Sequence, residues 1–245
     1  MSKVFYKNYS FWLIIITLLI LGVSVYAHQI DNFGVYRGLR LLPILGALVF
    51  LILRKPKIHR WWMLLFLVLY GVSSALTIGY EISLLAVLSM LFNMLAFWVL
   101  IVTLFPKINF RKMNMLFSSI FIIMVLLNAY LLYEFVNMIK EFAQNTLHYL
   151  FMMLGAMSLV AAGFFALVYN HLNSSRVSIV FTVFVFTLIF AEVFRAIAYY
   201  DFAYGDISVY IARLLNIISM ALLIHFAIIS ARAKVSLAQS QEIEG

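Results

Sequence analysis

Cysteine is absent from this chain of 245 residues. That removes disulfides, thiolate metal sites and cysteine nucleophiles together. Charge is almost as scarce. Asp, Glu, Lys and Arg make up 11% of the residues, where a soluble domain of this size carries about 25%. So few charges could not cover the remaining surface in water. No Gly/Ser-rich linker, low-complexity stretch or internal repeat divides the chain. Segments of about ten residues with alternating hydrophobicity are missing too, which excludes a transmembrane β-barrel.

What is present is apolar: 66% of residues are hydrophobic and the mean hydropathy is +1.08. A membrane-crossing helix needs roughly 20 apolar residues. Runs near that length fall at 10–27, 39–53, 61–79, 82–105, 115–136, 147–169, 178–199 and 207–230. The expected fold is all-α, a polytopic transmembrane bundle of about eight spans with short loops. A single transmembrane domain, 1–231, would be followed by a short tail, 232–245. The second run is the shortest and holds Pro43 in its first turns. Short loops make sequence neighbours into spatial neighbours. The tail is too short to fold alone, so a signalling role would need a partner chain.

The net charge of +8 invites a nucleic-acid reading, but the basic residues sit in short loops between apolar runs. On one side lie Lys3, Lys7, Arg54, Lys55, Lys57, Arg60, Lys107, Arg111, Lys112, Arg176, Arg232 and Lys234. The other side holds only Arg37, Arg40 and Lys140, with Asp31, Glu81, Glu141, Asp201 and Asp206. That asymmetry places the basic side in the cytoplasm. Both termini are then cytoplasmic, in the cell's inner or plasma membrane, and membrane lipids rather than nucleic acid are the expected partners. Trp61 and Trp62 stand where an interfacial aromatic belt belongs. The alternative for the first run is a signal peptide cut after Val25-Tyr26-Ala27. The run is long for that role, and we read it as a retained span.

Ionisable groups inside a span cost at least about 2.5–3.5 kcal/mol each on insertion scales and are functional candidates by default. Glu192 and Arg195 lie in the seventh run, and Arg213 and Asn216 in the eighth. With a rise of 1.5 Å per residue, Glu192 and Asn216 fall roughly 4–5 Å to the outer side of the midplane. Arg195 and Arg213 fall about 9 Å beyond it. Each pair shares a helix face at i, i+3, so the four can meet at matched depth. Ser73, Ser74, Thr77, Asn93 and Asn128 occupy the same slab, with Tyr70, Tyr130, Tyr133 and Glu134 at or above it. The expectation is a polar pocket in the outer half. In it, Glu192 acts as acid or base while an arginine grips an anionic group such as phosphate. The alternative is a structural cluster in which Glu192 pairs with Arg195 or Arg213 to fasten two helices. His225, His28, His59, His148 and His171 offer no one-face pair for haem or zinc. No cofactor and no metal is expected. Asn93, Asn128, Gly71, Ser74, Gly155, Ala156 and Gly163 also suit helix packing.

Eight short-looped spans with Leu39-Arg40-Leu41-Leu42-Pro43 in the second and Phe190-Ala191-Glu192 in the seventh resemble the YhhN/lysoplasmalogenase family of membrane proteins. The first segment is similar to that family's "KPLxxP"-like second span. The second is similar to its pairing of a small residue with Asp. The resemblance implies an eight-span fold and, in members that hydrolyse the vinyl ether of lysoplasmalogens, a second aspartate in a Gly-Asp pair on the third span. Here that span reads Tyr70-Gly71-Val72-Ser73-Ser74-Ala75, without an acid, and Glu stands at position 192. The function expected is therefore binding of a lipid or small amphiphile in the outer-half pocket without catalysis. The alternatives are a lipid vinyl-ether hydrolase, with Glu192 as acid/base and Glu134 or another group beside it, and a small-solute transporter.

Overall fold

The computed structural model describes residues 2–30, 32–54, 60–109, 113–200 and 205–243. Lys55, Lys57, His59, Arg111, Lys112, Asp31 and Asp201, which entered the charge comparison or the histidine search, lie outside the described residues. Nine α-helices run through the described chain: α1 (Ser2–Gln29), α2 (Phe33–Gly38), α3 (Leu41–Arg54), α4 (Arg60–Leu76), α5 (Ser83–Leu104), α6 (Met115–Met138), α7 (Thr146–Asn173), α8 (Arg176–Tyr199) and α9 (Gly205–Ile243). No strand occurs among the described residues. Seven stretches among them are long and apolar enough to cross a membrane, from Phe33–Leu53 through Ile207–Ala233. The chain is thus a multi-pass helical membrane protein. Eight spans is compatible with α1, whose apolar part Thr17–Gln29 is shorter.

Helix ends are set by side chains that satisfy the free N–H groups of a first turn. The Asn145 side chain accepts from the His148 N–H at the start of α7. Ser175 and Ser178 form a reciprocal capping box at α8. Between those helices Ser174 takes a left-handed conformation, φ 42°, and closes α7 with an N–H bond to the Asn170 carbonyl. Left-handed residues end many helices this way. The turn is tight, and it sets α7 and α8 antiparallel.

The second span differs from expectation. Instead of one helix over 39–53, the chain forms α2, breaks at Leu39–Arg40, and resumes as α3. Short-range bonds carry it across the break, from Arg40 N–H to the Arg37 carbonyl and from Leu42 N–H to the Leu39 carbonyl. Pro43 falls in the first turn of α3, where its missing N–H costs nothing. The tail is also helical: α9 runs without interruption through residue 231 to Ile243.

The main core joins α3, α4, α5, α7, α8 and α9 around fully buried Phe66, Phe97, Phe181, Phe184 and Leu188. Edge-to-face ring contacts order it: Phe181 meets Phe226 at 5.1 Å and Phe66 meets Phe184 at 5.8 Å. Tyr70 stacks on Phe66 at 5.6 Å and tops this apolar layer. Lipid tails are as apolar as these side chains, so close packing and interhelical hydrogen bonds hold the helices together. Ser73 and Ser89 each donate to the other's carbonyl, at 2.9 and 3.1 Å, joining α4 to α5. Thr182 of α8 donates to the Ala166 carbonyl of α7 at 2.9 Å. Gly163 lets α7 approach α8 closely, since a Cβ there would meet Ile189 at 3.2 Å. A Cβ at Gly71 would make only ordinary contact with Ile44, at 3.5 Å, and Gly155 has open space around it. α6 lies at the edge, against α7, with its apolar side chains facing outward.

Candidate functional site

Above the core, one carboxylate ties several helices together. Glu192 of α8 is 4% exposed. Its Oε1 accepts from Arg40 Nη2 at 2.5 Å and from the Tyr70 hydroxyl at 2.6 Å. Its Oε2 accepts from Asn93 Nδ2 at 2.6 Å and from Arg195. Arg40 comes from the α2–α3 break, Tyr70 from α4, Asn93 from α5 and Arg195 from the next turn of α8. Arg40 also donates to the Tyr70 hydroxyl at 2.8 Å, and Asn216 of α9 lies 3.3 Å from that hydroxyl. A carboxylate offers about four lone-pair sites, and all of them are used.

Arg213 is the exception within this group. It is buried, yet it forms no ion pair with Glu192. Its Nη2 donates to the Tyr36 carbonyl at 2.5 Å, and its guanidinium lies 4.5 Å from the centre of the Tyr36 ring. Nε and Nη1 of Arg213, Nη1 of Arg40 and Nδ2 of Asn216 are buried without an acceptor. Among the described residues here, the guanidiniums of Arg40, Arg195 and Arg213 outnumber the one buried carboxylate by two.

All of these residues except Asn93 line a cavity of about 550 Å³. Its walls are otherwise largely aromatic and apolar, including Tyr36, Tyr80, Tyr199, Val209 and Ala212. Most come from the α1–α2, α2–α3, α4–α5 and α8–α9 connections and the helix turns beside them, with Phe142 from the α6–α7 connection, so the cavity sits at one end of the bundle. An Arg37–Glu81 ion pair at 2.6 Å stands at its exposed rim, where the Glu81 side chain is 67% exposed. Partial burial acts upward on the Glu81 carboxyl, but the Arg37 guanidinium outweighs it and holds the group below the ordinary carboxylate range. Burial pushes the hydroxyls of Tyr80 and Tyr200 up, so both stay protonated. Tyr80 is fixed by His148, whose Nε2 lies 2.8 Å from its hydroxyl. His148 Nδ1 accepts from the Gln144 N–H, which leaves the ring proton on Nε2. Among the described residues no group of three or more His, Asp or Glu comes together as a metal site would require.

No protein family, curated protein or solved structure matches the chain. Its own geometry is what locates the site.

Of the residues picked out by sequence, Glu192, Arg195, Asn93 and Asn216 come together as one network. Arg213 joins the same cavity, but Arg40 holds the position beside Glu192 that Arg213 was expected to share. Ser74 is buried on α4 and bonds none of these groups; its carbonyl accepts from the Thr77 hydroxyl at 2.6 Å. Asn128 is elsewhere. It is exposed on α6 and donates to the Met124 carbonyl of its own helix at 2.8 Å. Tyr130, Tyr133 and Glu134 are exposed on the same helix, so Glu134 does not accompany Glu192. A helix packed along one side can direct only part of its circumference inward, and α6 presents apolar Val136 and Phe135 there. By sequence Arg40 reads as a loop charge. The signal that marks it is its place immediately before an apolar run, one residue outside the helix carrying Pro43. Tyr36 gave no signal, because a backbone carbonyl supplies its main contact.

Proposed function

We propose that this protein binds a lipid or small amphiphile in the cavity at the outer end of its bundle and performs no reaction on it. Both termini face the cytoplasm in this reading, as the basic loops indicate. The carrying observation is a cavity of about 550 Å³ whose walls combine aromatic and apolar surface with two uncompensated arginine charges. Small-molecule sites have this size and character, largely apolar with a few placed polar groups. The YhhN-like layout belongs to the same proposal. It rests on the Leu39–Pro43 segment and on the acid at position 192.

The vinyl-ether hydrolase reading is less well supported. A general acid or base must reach the proton it transfers, and Glu192 has every acceptor position filled from within. No second carboxylate stands beside it among the described residues. A transporter would use paired broken helices; α2–α3 is broken at the cavity, with no counterpart among the described spans.

Native mass spectrometry of protein extracted in mild detergent tests the binding. Wild type should retain one amphiphile, and Ala198→Trp, which projects bulk into the cavity from α8, should lose it. Equal retention by both would place the lipid on the outer surface and remove the reading.

A further inference from the structure

The arginines that Glu192 does not neutralise carry a more specific assignment. We infer that the cavity recognises a phosphate group, bound by Arg213 and Arg40 beside Asn216. This rests on the amphiphile-binding reading and names the chemistry of the head.

Arginine cannot shed its charge, and a buried guanidinium without a counter-ion is costly unless an anion reaches it. Arg213 is 4% exposed, and its one hydrogen bond among the described residues goes to a neutral carbonyl. Its Nε and Nη1, with Nη1 of Arg40, are donors without acceptors on the wall of one cavity. Glu192 cannot serve them, because Arg40, Tyr70, Asn93 and Arg195 already occupy both of its oxygens. No other carboxylate among the described residues reaches them, and the partner we assign is an anion from outside the chain. A carboxylate brings one charge and two oxygens. A phosphate monoester brings about −1.5 to −2 at neutral pH and three acceptor oxygens, which matches the surplus of two. Bonds from guanidinium to phosphate are among the stronger hydrogen bonds proteins make. The remaining volume, along Tyr36, Tyr199 and Val209, suits an apolar continuation of the ligand.

Two sources share that chemistry, a lipid with a phosphomonoester head and free phosphate. The experiment is thermal unfolding of full-length protein in dodecylmaltoside, in buffer free of phosphate. It is titrated in one arm with inorganic phosphate against chloride at equal ionic strength. In the other arm it is titrated with phosphatidate against phosphatidylcholine in the same micelles. A ligand that binds only the folded state raises the midpoint with concentration. A midpoint raised by phosphatidate alone identifies the lipid; a rise with both identifies the phosphate group itself. Arg213→Gln should weaken the response about tenfold or more.

Asn216→Asp keeps the side-chain size and supplies an internal anion, which guards against a variant that merely unfolds. It should be at least as stable as wild type without ligand and should no longer respond to phosphate or phosphatidate. Equal responses from wild type and Asn216→Asp, or no response of wild type in either arm, would overturn the assignment. If wild type retains a neutral amphiphile while failing both arms, the phosphate assignment falls and the amphiphile reading stands.

Discussion

Glu192 takes hydrogen bonds from four side chains, and their charges rank what each contributes. Breaking a buried ion pair by removing one partner costs about 3–5 kcal/mol, because the other charge is stranded. Glu192→Gln strands two guanidiniums, so it should lower unfolding stability by at least that amount. Asn93→Leu removes one neutral donor to a charged acceptor, and should cost about 1.5–3 kcal/mol. Chemical unfolding in detergent micelles, followed by helical circular dichroism, gives the order directly. If Asn93→Leu proves the more damaging, the carboxylate is not the centre of the network. At the rim, the Glu81 carboxyl lies below its ordinary range in the folded protein. A depressed carboxylate contributes stability above the unfolded value of about 4.3 and loses it as pH falls through the folded one. The thermal midpoint of wild type should therefore exceed that of Glu81→Gln at neutral pH, and the gap should close in acid. Sequence made Glu192 and Arg195 visible because charge within an apolar run is rare. Arg40 escaped because a charge at the edge of such a run is ordinary, and only the fold shows that the edge is buried.

At the level of helices, apolar run length was a sound guide, since hydrocarbon thickness fixes how long a span must be. Breaks within a span were less readable. The interruption at Leu39–Arg40 depends on short-range bonds and on Arg40 reaching Glu192, both products of tertiary structure. Faces were the hardest to assign. Asn93 and Asn128 are the same residue type at similar depth, yet one points into the bundle and the other away from it, because α5 is surrounded and α6 is peripheral. Gly155 and Gly163, two turns apart on α7, make the same point. A Cβ at 163 would crowd Ile189, whereas one at 155 meets nothing within 4 Å. Gly163→Leu should therefore destabilise by about 1–3 kcal/mol through overpacking. Gly155→Ala should be neutral or stabilising by up to about 1 kcal/mol from helix propensity. Unfolding midpoints of the two variants decide whether α7 and α8 pack as described.

For the whole molecule, the apolar core and the polar cavity divide the bundle along its length, with Tyr70 between them. Its ring stacks on Phe66 of the core, and its hydroxyl bonds Glu192 of the site. In the proposed orientation, with the basic loops in the cytoplasm, the cavity lies on the outer side. Because the chain has no cysteine, single introduced cysteines report sidedness without background. An impermeant thiol reagent applied to intact cells should label Lys140→Cys and spare Asn173→Cys; the reverse pattern would invert the protein in the membrane. In the proposed function a ligand completes the positive charge of the cavity. An experimental density map of the protein reconstituted in native lipid examines that most directly. It should show an elongated molecule in the cavity with its head against Arg213 and Arg40 and its apolar part along Tyr199. A cavity holding no such molecule, with Arg213 turned onto Glu192, would contradict the account.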